Sequence, residues 1–189
     1  MNPNIPLETF LPPPHLSHIH LLVSKDWNGL NNGVFFIRVH PWSLKLLTAA
    51  SAYPILKPEV HLVWQDQSAL AELFKMEYFS SSVVFCPLRW FNAYPEDWLE
   101  AGRSSASSSH LHLQPGDLLV HFPGTSREKL NETMMPYIEI AEGHQKAWEL
   151  RLGETYYQTE IESFWKNMSS NVTRFWPHGA IASSPVSGP

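Results

Sequence analysis

A turn, a short apolar run, a histidine, a glycine bend and a helix start follow one another in Gln114-Pro115-Gly116-Asp117-Leu118-Leu119-Val120-His121-Phe122-Pro123-Gly124-Thr125-Ser126-Arg127-Glu128. No other stretch constrains the fold as tightly. Pro-Gly-Asp is turn chemistry. Leu118-Leu119-Val120 shows no polar alternation, so residues 118–122 are expected as a strand buried on both faces, as in a parallel sheet. Thr125 with Glu128 three residues on reads as a capping box, which places a helix start near Ser126. The free N–H groups and positive dipole end of that helix then fall beside His121, Gly124 and Arg127. That is a seat suited to a phosphate, with a metal-capable imidazole at its edge. Taken alone, the stretch favours a plainer strand–loop–helix junction with a hydrogen-bonded histidine.

A chain of 189 residues suffices for one domain with a real core. Net charge is −5, from 13 basic and 18 acidic residues, and no Lys/Arg cluster exists to neutralise a nucleic-acid backbone. No nucleic-acid partner is therefore expected. No apolar run approaches the ~20 residues that span a bilayer, and no basic-then-apolar leader opens the sequence. The single cysteine, Cys86, sits in Val83-Val84-Phe85-Cys86 and reads as a small buried hydrophobe. With 8 Trp, 10 Phe and 6 Tyr, most rings must be core. Trp27, Trp42, Trp64, Trp90 and Trp98 recur beside polar motif residues. Carbohydrate sites often place a ring face beneath a sugar, but core packing is the commoner explanation for any one of them. Sequons at Asn131, Asn167 and Asn171 lend slight support to a secretory lumen.

Residues 1–20 are Pro-rich and irregular. Strands are expected over 19–23, 34–38, 82–86 and 118–122, and loop over 25–33 and 91–95. Helices are expected over 42–50, ending before Tyr53-Pro54, over 68–74, and over 126–149 with a break near Pro136. The serine run at 103–109 reads as an exposed loop and residues 177–189 as a disordered tail. Strands alternating with helices indicate an α/β layer architecture, whose ligands sit at the carboxyl ends of strands. Asn31, Gln67, Asn92 and His121 all stand near predicted element ends, a pattern that suits a site. Asn92 has a second reading, in which it satisfies loop backbone. Asp66 could cap the helix expected from Ser68, and Asn31-Asn32-Gly33 could be only a turn.

Four blocks occur in order. They are Asp26-Trp27-Asn28-Gly29-Leu30-Asn31-Asn32-Gly33-Val34-Phe35-Phe36-Ile37-Arg38, Trp64-Gln65-Asp66-Gln67-Ser68-Ala69-Leu70, Pro87-Leu88-Arg89-Trp90-Phe91-Asn92-Ala93-Tyr94 and Gly116-Asp117-Leu118-Leu119-Val120-His121-Phe122-Pro123-Gly124. Together they resemble the fungal galactosyltransferase/mannosyltransferase family, the retaining family 34 glycosyltransferases. The resemblance implies a GT-A fold, related to the Rossmann fold, of which this chain would carry the C-terminal, acceptor-side part. It also implies a nucleotide-sugar donor (UDP-galactose or GDP-mannose), a glycan acceptor, a manganese cofactor and a Golgi membrane protein facing the lumen. On that reading residues 1–150 are the partial transferase domain and residues 151–176 a helical extension. His121 matches the family's metal-binding histidine. Gly124 and Arg127 fall where relatives contact the donor diphosphate, with arginine where lysine is usual. Asn31, Asn32 and Gly33 match the block lining the donor sugar. Asp66 and Gln67 match the pair beside the reacting carbon, as electrostatic stabilisers of an oxocarbenium-like sugar in a same-face displacement.

The critical departure from the resemblance is that the sequence contains no Asp-x-Asp. The family carries that metal-binding motif just ahead of a segment like Met1-Asn2-Pro3-Asn4-Ile5-Pro6-Leu7-Glu8. The expectation is therefore a chain starting downstream of it, with nucleotide half and membrane anchor encoded upstream. His121 alone would hold manganese poorly, because hard divalent ions prefer several oxygen ligands. The alternative is an inactive paralogue that serves as a glycan-binding or partner subunit of a Golgi glycosyltransferase complex.

Overall fold

The computed structural model describes residues 1–95 and 112–175; the loop expected over 103–109, the tail over 177–189 and Trp98 lie outside the described residues. β1 (Leu21–Asp26) and β2 (Gly29–Ile37) form an antiparallel hairpin, and β3 (Val83–Cys86) runs parallel to β1 on its other side. The sheet order is β2-β1-β3. Side chains alternate between the faces of a strand. Leu21 and Val23 join Trp42 and Leu46 of α1 (Pro41–Leu56), Leu70 and Leu73 of α2 (Asp66–Leu73) and Phe79 of α3 (Glu77–Ser80). Leu22 enters a second cluster with Val84 and Cys86, Phe10 and Leu16 of the N-terminal arm, Trp90, and Tyr157, Ile161 and Trp165 of α5 (Tyr157–Phe175). The result is an α/β structure with a mixed sheet between two apolar layers. Cys86 is buried in the second layer, where desolvation pushes its thiol up, as its apolar neighbours indicated.

Several elements differ from the pattern-based expectation, each for a local reason. Residues 118–122 make no strand. The Leu118 carbonyl accepts from the N-terminal ammonium at 2.9 Å and from the Asn2 N–H at 3.2 Å, and the Leu118 N–H goes to the Tyr157 hydroxyl at 3.0 Å. Those bonds occupy both backbone groups of Leu118, and the His121 N–H goes to the Ala93 carbonyl at 2.7 Å, so both ends of the segment are held without a ladder. The next helix, α4 (Arg127–Glu142), has Ser126 as N-cap without a side-chain cap bond, so the Thr125–Glu128 box does not form. Thr125 Oγ1 is instead buried without a hydrogen-bond partner. α4 runs through Pro136 and stops at Glu142, and α1 runs through Pro54 to Leu56. Both prolines are exposed, where water can take the carbonyl bond that each one frees.

The stretch 25–33 is the hairpin itself. Trp27 and Asn28 form its turn, Asp26 Oδ1 accepts the Asn28 N–H at 2.6 Å, and Gly29 supplies the left-handed residue at φ 108°.

One buried carboxylate ties the segment after β3, the late loop and the approach to α5 together. Asp117 is fully buried, accepting from the Tyr156 hydroxyl and the Gln114 N–H at 2.7 Å each, with Arg89 Nε at 3.8 Å. Desolvation outweighs these donors and pushes its pKa up to about 6 from 3.8. A folded-state pKa above the unfolded value means that the folded state binds the proton more tightly. This group's contribution to stability therefore grows as pH falls through about 6 towards 4, and is lost as pH rises. Relative to Asp117→Asn, the wild type should gain about 1 kcal/mol of stability between pH 7 and pH 5 in denaturant titrations. A pH-independent gap between the two would refute the assignment.

Candidate functional site

β2 leaves its ladder for four residues. Leu22 pairs with Phe36 and Ser24 with Asn31, so Asn32, Gly33, Val34 and Phe35 stand opposite Val23 alone. A bulge needs substitute hydrogen bonds, and Asn92 supplies them. Its Oδ1 accepts the Val34 N–H at 2.9 Å, while its Nδ2 donates to the Val34 carbonyl at 2.8 Å and to Ser24 Oγ at 2.7 Å. Asn92 is completely buried. It is a backbone bracket, the second of the two readings that its position allowed.

The bulge opens onto a cavity of about 290 Å³. Asn31, Asn32 and Gly33 line it from β2, Asp26, Trp27 and Asn28 from the hairpin turn, Trp64 and Gln67 from the start of α2, and Tyr94, His121, Pro123 and Gly124 from the later loops. Its floor is a closed polar network. The Tyr94 hydroxyl donates to Asp26 Oδ2 at 2.6 Å and accepts from Asn31 Nδ2 at 2.6 Å. Asn31 Nδ2 also reaches Asp26 Oδ2 at 3.0 Å, and Asn31 Oδ1 accepts the Gly33 N–H at 3.0 Å. Burial and the adjacent Asp26 carboxylate push the Tyr94 phenol up, so it stays protonated and remains a donor.

His121 lies directly on the bulge. Its N–H donates to the Ala93 carbonyl at 2.7 Å, and its ring stands 5.7 Å from that of Tyr94. A Cβ built on Gly33 would meet His121 Cε1 at 2.2 Å and Nε2 at 2.5 Å. Only glycine leaves room for the imidazole there. Desolvation lowers the His121 pKa, with Asp26 opposing, and Nδ1 is buried without a hydrogen-bond partner. A neutral imidazole with a spare nitrogen is what a metal or a proton requires of histidine.

The other wall depends on a strained residue. Gln65, at the N-cap of α2, has φ 44° and ψ −109°, a backbone conformation that costs of order 1–3 kcal/mol. Next to it the Trp64 N–H is taken by Ser68 Oγ at 2.9 Å. Asp66 is the first residue of α2 and caps nothing. Its Oδ2 accepts from Asn32 Nδ2 at 2.8 Å, tying the helix to the bulge.

Asn31, Asn32, Gly33, Gln67, His121 and Gly124, distant in sequence, thus meet in one cavity. Asp66 stands beside it, bonded to Asn32. Arg127, the exposed first residue of α4, does not line it. A second groove of about 710 Å³ shares Gly124 and is lined by Thr125, Ser126 and Lys129. Asp26 and Tyr94 were not expected in the site. Asp26 lay in the first quoted block and Tyr94 in the third, but nothing in either residue type marked the bond between them.

The His121 imidazole suits one position of a manganese site. Among the described residues no three His, Cys, Asp or Glu side chains come together as a metal-binding group. The described residues do not assemble a manganese centre.

Residues 12–132 match the model of the galactosyl transferase GMA12/MNN10 family. The probable alpha-1,6-mannosyltransferase MNN10 of Saccharomyces cerevisiae is 38% identical over 139 residues, covering 70% of this chain and 34% of that protein. The uncharacterized alpha-1,2-galactosyltransferase C637.06 of Schizosaccharomyces pombe is 28% identical over 119 residues, covering 60% of this chain and 34% of that protein. The chain thus spans about a third of the length of these curated relatives. No solved structure matches the chain.

Proposed function

The chain belongs to the galactosyl transferase GMA12/MNN10 family, and on that premise we propose that its cavity serves hexosyl transfer from a nucleotide sugar to a glycan acceptor. The convergence of Asn31, Asn32, Gly33, Gln67, His121 and Gly124 on one cavity carries this reading. A GT-A-type fold, retention of configuration, a manganese ion held in part by His121, and a Golgi lumenal setting belong to the same proposal.

The donor sugar sits on the floor among the Asn31, Asn32 and Gln67 amides. Its diphosphate points past His121 and Gly124 toward Thr125, Ser126, Lys129 and Arg127, where the basic side chains stand. In the transfer the bond from the anomeric carbon to the phosphate oxygen breaks, and a bond to an acceptor hydroxyl oxygen forms. The acceptor proton leaves with the departing diphosphate. The Gln67 side-chain oxygen stabilises the positive charge that develops on the sugar, and Asp66 holds Asn32, and so the bulge, in register.

The test is release of nucleoside diphosphate from UDP-galactose or GDP-mannose by the full chain, with manganese and mannobiose supplied. Wild type should turn over one donor, and Gln67→Ala and His121→Ala should each lower kcat/KM by about a hundredfold or more. No release from either donor would defeat the transferase reading and favour the second one, a glycan-binding subunit. That second reading draws on the metal ligands, since among the described residues no three His, Cys, Asp or Glu side chains come together to hold an ion.

A further inference from the structure

Two tryptophans are placed unlike their core counterparts. Trp42, Trp90 and Trp165 are at most 6% exposed, whereas Trp27 is 42% and Trp64 56% exposed. Both exposed indoles line the one cavity, from elements far apart in sequence. Trp27 is held from behind by an edge contact with Tyr94, with ring centroids 5.3 Å apart. Trp64 directly precedes the strained Gln65. Core packing accounts for neither ring.

Besides His121 and Tyr94, the polar side chains of the cavity wall include the amides of Asn28, Asn31, Asn32 and Gln67. No Lys or Arg lines it, and its carboxylate, Asp26, is taken up by Tyr94, Asn31 and the Asn28 N–H. An anionic diphosphate gains nothing beside the two indoles. A pyranose does, because its C–H face covers an aromatic ring while its hydroxyls bond to amides. The wall is graded too. Asn31 and Tyr94 on the floor are buried, whereas Trp27, Asn28 and Trp64 are exposed at the rim. The donor sugar has the floor.

We infer that Trp27 and Trp64 form a saccharide-binding rim that seats the terminal pyranose of the acceptor glycan over the donor pocket. The term acceptor rests on the transferase reading; the binding of saccharide does not. The full chain is titrated with α-1,6-mannobiose and with methyl α-D-galactopyranoside, without nucleotide, while tryptophan emission and saturation-transfer NMR are followed. One sugar should give a saturable emission change, with transfer to its ring protons. Trp27→Ala and Trp64→Ala should each weaken binding roughly tenfold or more, the scale of removing an aromatic anchor. Trp64→Phe should recover part of the loss, and the melting curves should stay near wild type because both rings are exposed. No saturable binding by wild type, or alanine variants that bind as wild type does, would overturn the rim. Saccharide binding without any nucleotide release would keep the rim and end the transferase reading, and nucleotide release without saccharide binding would do the reverse.

Discussion

Gly33→Ala is expected to cut donor turnover steeply while leaving the protein folded. The new methyl carbon would lie 2.2 Å from His121 Cε1, far inside any tolerable contact. The backbone itself accepts alanine, since Gly33 is absent from the positive-φ glycines, Gly29, Gly116 and Gly124. The clash therefore falls on a side chain that can swing away, and the hairpin need not move. Displacing the imidazole by an ångström or more should cost about a hundredfold or more in kcat/KM. The His121 imidazole proton resonances should shift in NMR spectra with no change in the far-ultraviolet circular dichroism.

Gly124→Ala makes the contrast. Its Cβ would meet nothing within 4 Å, but φ is 62°, so alanine there carries about 1–2 kcal/mol of backbone strain without crowding His121. Full turnover by Gly33→Ala would mean that the histidine at the bulge takes no part in the chemistry.

This pair also shows what could be read from sequence. Asn31-Asn32-Gly33 and the late histidine were visible as ligand-type residues because turn chemistry and residue type are local signals. Their contact across 88 positions was not, because it depends on β2 leaving its ladder for four residues opposite one. The strands expected at 19–23, 34–38 and 82–86 were legible from largely apolar runs and each overlaps a strand of the sheet, although β1 runs on to Asp26 and β2 begins at Gly29. Leu118-Leu119-Val120 carries the same signal but forms no strand, because the N-terminal residues and Tyr157 supply its backbone partners first. Periodicity cannot foresee a competitor more than a hundred residues away. Asp26 and Tyr94 were hidden for the same reason, since the value of each lies in a bond to the other.

Asn92→Ala should be among the most destabilising single substitutions in the chain. It removes three hydrogen bonds at once and strands the Val34 N–H and carbonyl in a bulge that no neighbouring strand can reach. At about 1 kcal/mol for each lost bond, with an added penalty for buried groups left unpaired, the loss comes to roughly 3–5 kcal/mol. That is a large part of the roughly 5–15 kcal/mol that holds a typical domain together. The bracketing role is separable from simple packing. Asn92→Asp keeps the shape and the acceptor for the Val34 N–H, but it turns the donor that faces the Val34 carbonyl into a second acceptor. If the side chain merely fills space, aspartate should be nearly harmless. If it replaces a missing strand, aspartate should cost at least as much as alanine, because a carboxylate would be buried against a carbonyl oxygen. Denaturant midpoints for the two variants decide between these outcomes. Ala93, the next residue, holds the His121 N–H, so loss of the bracket should also loosen the imidazole and lower any turnover beyond what the unfolded fraction explains.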